Sequence, residues 1–458
     1  MRQISLLAVS LIFVFYGCQK DERITSDPNA KLNFSKDSIV FDTIFTSFGS
    51  TVKQVKILNR NPSAVIISEI TLVGGNLSAF SININGENAI NHKNITLNAS
   101  DSINIFIKAT IKPDSKTLPF IVQDSILLTT NGNKQAIKLI AYGQNAVFIN
   151  ASVIDKNTTW TADLPYIING VVTVTASSTL SVSPGAKLYF RKDASLNIDG
   201  RLNAIGQFDN PILFCSDRLD EVYLNEPGQW KGIYFRQLGT GIIKYATIKN
   251  ASVGLTSDSL SGNANPKLIL TNSIIKNMQV AGYVGYHSEL VALNNLFYNC
   301  GNYLLHGVGG GNYNLKQNTF AGYNLNFPRK TSSVSFSDYQ SARMTNALSL
   351  NLTNNIICGS LINEFEIERR TNAVLQSNLY SNLIKTVNTS YANNGNILNL
   401  DPGFISPGLE NFELLATSPA LKKGLNLSHD VFFSNYLNRD LKNTLRSFPS
   451  SIGCYEKK

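Results

Sequence analysis

Apolar and polar positions recur in one order through the C-terminal part of the chain. Two apolar positions two apart are followed by a polar pair and then another apolar residue. The pattern reads Leu268-x-Leu270-x-Asn272-Ser273-x-Ile275, then Leu290-x-Ala292-x-Asn294-Asn295-x-Phe297. It continues as Tyr313-x-Leu315-x-Gln317-Asn318-x-Phe320 and Leu350-x-Leu352-x-Asn354-Asn355-x-Ile357. A fifth copy is read at Ala373-x-Leu375-x-Ser377-Asn378-x-Tyr380, so the starts are 22, 23, 37 and 23 residues apart. Alternation is the period of a strand, and the polar pair marks a tight bend. A repeat near 23 residues predicts one coil of a parallel β-helix, each coil bonded to the next around a shared apolar interior. Asn suits the bends, because it tolerates left-handed backbone and its amide can bond along a stack.

Upstream the same logic holds in a looser register. Leu180-x-Val182-x-Pro184-Gly185, Leu188-x-Phe190, Leu196-x-Ile198-x-Gly200-Arg201-Leu202, Trp230-Lys231-Gly232-Ile233-x-Phe235 and Ile243-Lys244-Tyr245-Ala246-x-Ile248 read as short strands and turns. Together they resemble the opening coils of right-handed parallel β-helix proteins from bacterial surfaces, the hand that crossover connections prefer. A solenoid must close its last edge. Ser418-Pro419-Ala420, Asp440-x-x-Asn443-x-x-Arg446 and Ile452-Gly453-Cys454-Tyr455-Glu456 resemble the terminal segment of bacterial β-helix proteins. Asn443 departs from the usual Gly and Cys454 from the usual Ala. Asp440 and Arg446 are read as structural members of that cap.

Between Lys31 and Gly143 the pattern is that of a sandwich. Ile103, Ile105, Ile107, Ala109 and Ile111 alternate with polar residues, and Gly74-Gly75, Asn85-Gly86 and Asn131-Gly132-Asn133 punctuate the strands. About seven strands in some 110 residues predict a β-sandwich. The order Phe48-Gly49-Ser50, Val55 to Asn59, Phe80-Ser81-Ile82, Ile107 to Pro113 and Ile137 to Gly143 resembles the ASPM/SPD-2/Hydin type of Ig-like domain. Such modules serve as spacers or binding surfaces, and the fold itself implies no chemistry.

The first residues read as an address. Met1-Arg2 precedes an apolar run from Ile4 to Phe15, too short to span a bilayer and laid out as a secretory signal. Phe15-Tyr16-Gly17-Cys18 resembles a bacterial lipobox, with Phe in place of the commoner Leu, which implies cleavage before Cys18 and its lipidation. Lys20-Asp21-Glu22 resembles the signal that sends Gram-negative lipoproteins to the outer surface, with a solvated tether as the alternative. The expected organisation is an all-β chain: signal peptide 1–17, tether 18–30, Ig-like sandwich 31–145, right-handed parallel β-helix 146–415 and cap 416–458. The expected location is the outer membrane, lipid-anchored and facing outward, held through acyl chains without a membrane-spanning helix.

Composition narrows the chemistry. Hydrophobic residues at 43% supply cores, and charged residues are only 16%. The formal net charge of +9 comes from scattered Lys with no basic block, which suits acidic glycans or envelopes and gives no nucleic-acid motif. Cys215, Cys300, Cys358 and Cys454 are widely spaced, without a CxxC or Cys/His cluster, and read as buried thiols; no metal or cofactor is expected. Asp-(Ser/Thr)-aliphatic triplets at Ser38, Thr43, Ser102, Ser125 and Ser259 resemble bacterial O-glycosylation acceptors, the alternative being a turn Asp before a strand.

Between residues 240 and 400 acids are scarce, with no Asp-Asp pair or Asp-x-Asp cluster, and no catalytic residue is assigned. Glu364-Phe365-Glu366-Ile367-Glu368 is one dense charged stretch, with Phe365 and Ile367 expected inward and all three Glu on one outer face. The long interval between the third and fourth copies holds an insertion expected to project as a loop carrying Arg329, Lys330, Tyr339 and Arg343. Cations beside aromatic rings suit sugars bearing carboxylate or sulfate groups. Arg329, Lys330, Arg343, Glu364, Glu366 and Glu368 are the candidate ligand contacts, the alternatives being a solvated strand face for the three Glu and a disordered excursion without a role for the insertion. The chain is therefore read as a binding or display module for glycans or cell-surface partners. A polysaccharide lyase or glycoside hydrolase acting on an acidic polysaccharide is the alternative.

Overall fold

A computed structural model describes residues 23–113, 118–323, 328–341, 344–370 and 372–457. Its backbone divides into two compact units, residues 1–145 and 146–458. Cys18, Lys20, Asp21 and Glu22 lie outside the described residues, as does Arg343.

The first unit is a sandwich of two five-stranded sheets. One runs in the order Asn33–Phe34, Lys53–Leu58, Ser102–Ala109, Phe80–Ile84 and Glu87–Asn88. The other runs Ser38–Phe45, Asn133–Gln144, Phe120–Thr130, Val65–Leu72 and Asn91–Leu97, with the first pair parallel. Alternate residues point inward, so Val55, Ile57, Ile67, Ile105, Ile107, Ile126 and Leu139 share one core. Asn131 and Gly132 both hold positive φ between the two longest strands, the two-residue hairpin geometry that Asn-Gly favours. The expected tether is shorter than 18–30. Ile24 bridges Ala64, the Asn133 amide donates to Pro28 O at 2.6 Å, and Ala30 joins the core. The backbone bridge at Ile24 and the burial of Ala30 tie this stretch to the sandwich, while Ile24 itself stays exposed.

The second unit is a parallel β-helix, a 25-stranded sheet wound through three faces. Ser195–Ile198, Gly232–Phe235, Val253–Asp258 and the first half of Ala281–Leu293 stack on one face. Arg201–Ile205, Thr240–Lys244, Leu268–Thr271 and the second half of Ala281–Leu293 form the next. Ile212–Ser216, Ala246–Lys249, Ile274–Met278 and Leu296–Cys300 form the third. Every pairing in these ladders is parallel. Ala204, Ile243, Leu270, Ala292, Leu315, Leu352 and Leu379 stand in one register column and all are buried. The interior is thus continuous, as the repeat predicts.

The bends are built from amides. Asn295, Asn318, Asn355 and Asn382 stack so that each Oδ1 accepts the backbone N–H of the rung before, at 2.9–3.0 Å. Each amide nitrogen donates to a strand carbonyl of the rung before at 2.8–2.9 Å, beginning with Leu270 O. The residue before each of them, Asn294, Gln317, Asn354 and Ser381, holds positive φ. This ladder corrects the fifth copy. Leu352 pairs with Leu379 and Ile357 with Ile384, so that copy runs Ser377-x-Leu379-x-Ser381-Asn382-x-Ile384, four residues later than read. Ser-Asn-Leu occurs twice in succession there, and only the second Asn meets Asn355.

The end of the stack is closed by Ile397–Leu398, which pairs with Leu383–Ile384, and by Tyr391 beneath Phe365. The C-terminal segment lies elsewhere than an end cap would. Phe404, Phe412, Leu414, Ala420, Leu441, Ile452 and Cys454 pack on outward residues of the third face, including Leu296, Tyr298, Ile356 and Cys358. Amides of Asn354, Asn294 and Asn272 donate to Leu425, Arg439 and Asp440 carbonyls, so the strap runs back along the helix as its sequence advances. Arg446 ion-pairs with Glu456 at 3.2 Å and donates to Asn294 Oδ1, while Asp440 accepts from the Thr444 and Glu456 N–H groups. Both are structural. All four described cysteines are free and buried, and burial pushes the thiols of Cys215, Cys300 and Cys454 up to about 12. Such thiols are unreactive at neutral pH.

Candidate functional site

The corner between the third and first faces carries a groove of about 550 Å³ that includes Tyr303, Lys330, Ser332, Asn363, Glu366 and Glu368. Three successive rungs build it. His306 pairs with Ser335 and Ser335 with Glu366, so these three stand in one outward column, and Ser337 pairs with Glu368 beside it. Phe365 and Phe336 fill the interior behind them, and this apolar alternation turns Glu366 and Glu368 outward. The Tyr303 ring lies flat on His306, with centroids 4.1 Å apart and planes 6° apart. Burial lowers the His306 pKa against the opposing pull of the Ser335 carbonyl and the Glu368 charge, so the ring is neutral at neutral pH.

The rim is organised by ionic contacts. The Tyr339 hydroxyl donates to Glu368, which raises the Tyr339 pKa, and the Arg370 guanidinium lies 3.9 Å from the Tyr339 ring centre. The Ser332 hydroxyl donates to Glu366 at 3.2 Å. Arg369 reaches the buried Asp338 at 3.7 Å, and the Arg370 N–H donates to the same carboxylate. Lys330 is exposed on the groove wall.

Two expected ligand contacts are not on this surface. Arg329 and Glu364 form an ion pair at 2.6 Å with side chains 1% and 0% exposed. Glu364 also accepts the Ser333 and Leu361 N–H groups, and Arg329 donates to Gly322 O. Every strong partner of either charge is internal, so neither reaches a ligand. Glu364 precedes its strand, at the bend, where a coil turns side chains into the fold. The three-Glu face is therefore a two-Glu face. The expected projecting insertion is likewise divided. Val334–Ser337 is a buried rung, followed by the short hairpin of Tyr339–Ser341 and Met344–Thr345. His287 stands on a bulge, and His306 pairs with Val284 of the rung before.

The Asp-(Ser/Thr) positions occupy varied settings. Ser38 and Ser102 open strands, with the Asp37 and Asp101 carboxylates accepting from Ser38 Oγ and the Ser102 N–H. Thr43 and Ser125 sit within paired strands, and the Ser259 hydroxyl is buried.

No protein-family model and no curated protein matches the chain. Among solved structures, a family 123 glycoside hydrolase from Clostridium perfringens matches at 13% identity and TM-score 0.19, over 27% of this chain and 26% of the hydrolase. The chain thus spans about a quarter of that enzyme's length. An ASH/PapD-like domain of human CEP192 matches at 14% identity and TM-score 0.18, over 26% of this chain and 89% of that domain.

Proposed function

We propose that this protein is a cell-surface glycan-binding module, displayed from the outer membrane by a lipid on Cys18 and exported under the Lys20-Asp21-Glu22 signal. The observation that carries the binding reading is the pair Glu366 and Glu368, aimed outward from one strand into a groove walled by Tyr303. Ionised carboxylates accept hydrogen bonds from neighbouring hydroxyls, and an aromatic wall covers the apolar face of a sugar ring. The strand is held by its ladder to Val334–Ser337 and by Phe365 in the interior, so little ordering remains to be lost on binding. This acidic groove suits hydroxyl- or amine-bearing sugars; of the cations expected to face acidic sugars here, Arg329 is withdrawn into its buried pair and Lys330 stays on the groove.

Glu366 and Glu368 leave the same side of one strand, their Cα atoms roughly 7 Å apart, so two carboxylates line one groove, and this favours hydrolysis as the second reading. A glycan-array screen followed by product analysis separates the two. Binding lost in Glu366→Gln and Glu368→Gln without sugar products supports the module. Release of shortened glycans by the wild type alone would establish the hydrolase. Membrane fractionation of Cys18→Ala tests the anchor, which predicts its release into the soluble fraction.

A further inference from the structure

Four to five rungs before this groove, at the same corner, the helix carries a second cleft of about 550 Å³ including Asn169, Arg191, Lys192, Asp217, Arg218 and Tyr223. The corner is traced by backbone bonds from Lys231 N–H to Ala194 O, Ser252 to Trp230, Val280 to Ser252, and Asn302 to Val280. It goes on through Leu304 to Ser333 and Val334 to Glu364, so both clefts lie on one line along the helix, about 20 Å apart at ~4.8 Å per rung.

The chemistry of the second cleft is the reverse of the first. Arg191, Lys192 and Arg218 face it, with the carboxylate of Asp217 on its wall and that of Asp220 bound to Arg218. Asp217 is 3.4 Å from Arg191 Nε, and Asp220 grips Arg218 through Nε and Nη2 at 3.1 Å each. The Arg218 guanidinium lies 3.6 Å from the centre of the Tyr223 ring. The loop that presents these groups is pinned: the Gln229 amide donates to Tyr223 O and Glu226 O, Asn250 to Glu226 O, and Ser216 to Gln229. Trp230 anchors its end by stacking on Phe190 at 4.0 Å. Guanidinium groups already oriented by carboxylates and an aromatic ring are set to receive a planar or tetrahedral oxyanion at small entropic cost.

We infer that the Arg191/Lys192/Arg218 cleft binds the carboxylate or sulfate of an acidic sugar. A linear polysaccharide running along the corner would then reach both clefts. This extends the glycan reading but stands on its own residues. The test is calorimetric titration of the full chain with polygalacturonate oligomers, dextran sulfate and neutral dextran. Acidic polymers bind, with affinity falling as salt rises; preference between the first two distinguishes carboxylate from sulfate. Lys192→Glu, a change at an exposed position, weakens acidic binding at least tenfold, and Arg218→Ala does the same. Glu366→Gln, which removes a negative charge from the first groove, does not weaken acidic binding, while loss of neutral or amino-sugar binding in that variant concerns only that groove. Absence of acidic binding in the wild type, or unaltered affinity in Lys192→Glu, would overturn the inference.

Discussion

A buried ion pair and a buried lysine show how differently burial treats ionisable residues in this chain. Arg329 and Glu364 satisfy each other and several backbone groups, so removing one strands the other in the interior. Arg329→Ala is expected to lose about 3–5 kcal/mol in urea unfolding, while Arg329→Met combined with Glu364→Met loses less, because no charge is orphaned. Lys267 is fully buried without a carboxylate in contact: its ammonium donates to Arg236 O at 2.7 Å and Gln237 O at 2.8 Å. Burial lowers its pKa to about 8 from 10.5. The unfolded chain therefore holds more protons between these values, so the penalty of the buried charge is full below pH 8 and fades as pH rises towards 10.5. Stability of the wild type relative to Lys267→Met should accordingly improve between pH 7.5 and 9.5; a gap that stays constant would mean that the lysine titrates normally.

The asparagine ladder is the element that holds the bends together. Asn318 accepts from Asn295 N–H and donates to Ala292 O and Asn355 Oδ1, so its amide links three rungs. Asn318→Ala leaves several buried partners unmet and is expected to cost on the order of 2–4 kcal/mol by denaturant titration. Asp restores the acceptor but not the donor, and should fall between Asn and Ala. The strap is the other decisive element. Phe412 packs on Tyr298 with centroids 4.9 Å apart, and Phe412→Ala is expected to cost about 3–5 kcal/mol.

The entire second unit joins a periodic interior to one covered flank. Deleting residues 416–458 uncovers Leu296, Ile356 and Cys358, and should raise binding of a hydrophobic dye and promote aggregation. The corner between the third and first faces stays open and bears the two clefts. Opposite charge along one line means that high salt should weaken acidic-polymer binding far more than contacts made through hydroxyls to Glu366 and Glu368.

Periodicity alone determined the coil. Leu270, Ala292, Leu315 and Leu352 had to share an interior because stacked strands repeat every rung, and the paired Asn positions had to fall at bends. The same spacing rule turned Glu366 and Glu368 outward. What tertiary structure decided is what happens to residues once they leave the period. Two neighbouring Ser-Asn-Leu triplets satisfy the pattern equally, and only contact with Asn355 selects Asn382. Arg329 and Glu364 are 35 residues apart, and their burial needs both to arrive at one bend. The flank covered by the strap and the cleft at Arg191 and Arg218 likewise join segments distant in sequence or placed by an irregular loop. Local alternation records which way a side chain leaves the backbone; what then lies in front of it depends on the folded chain.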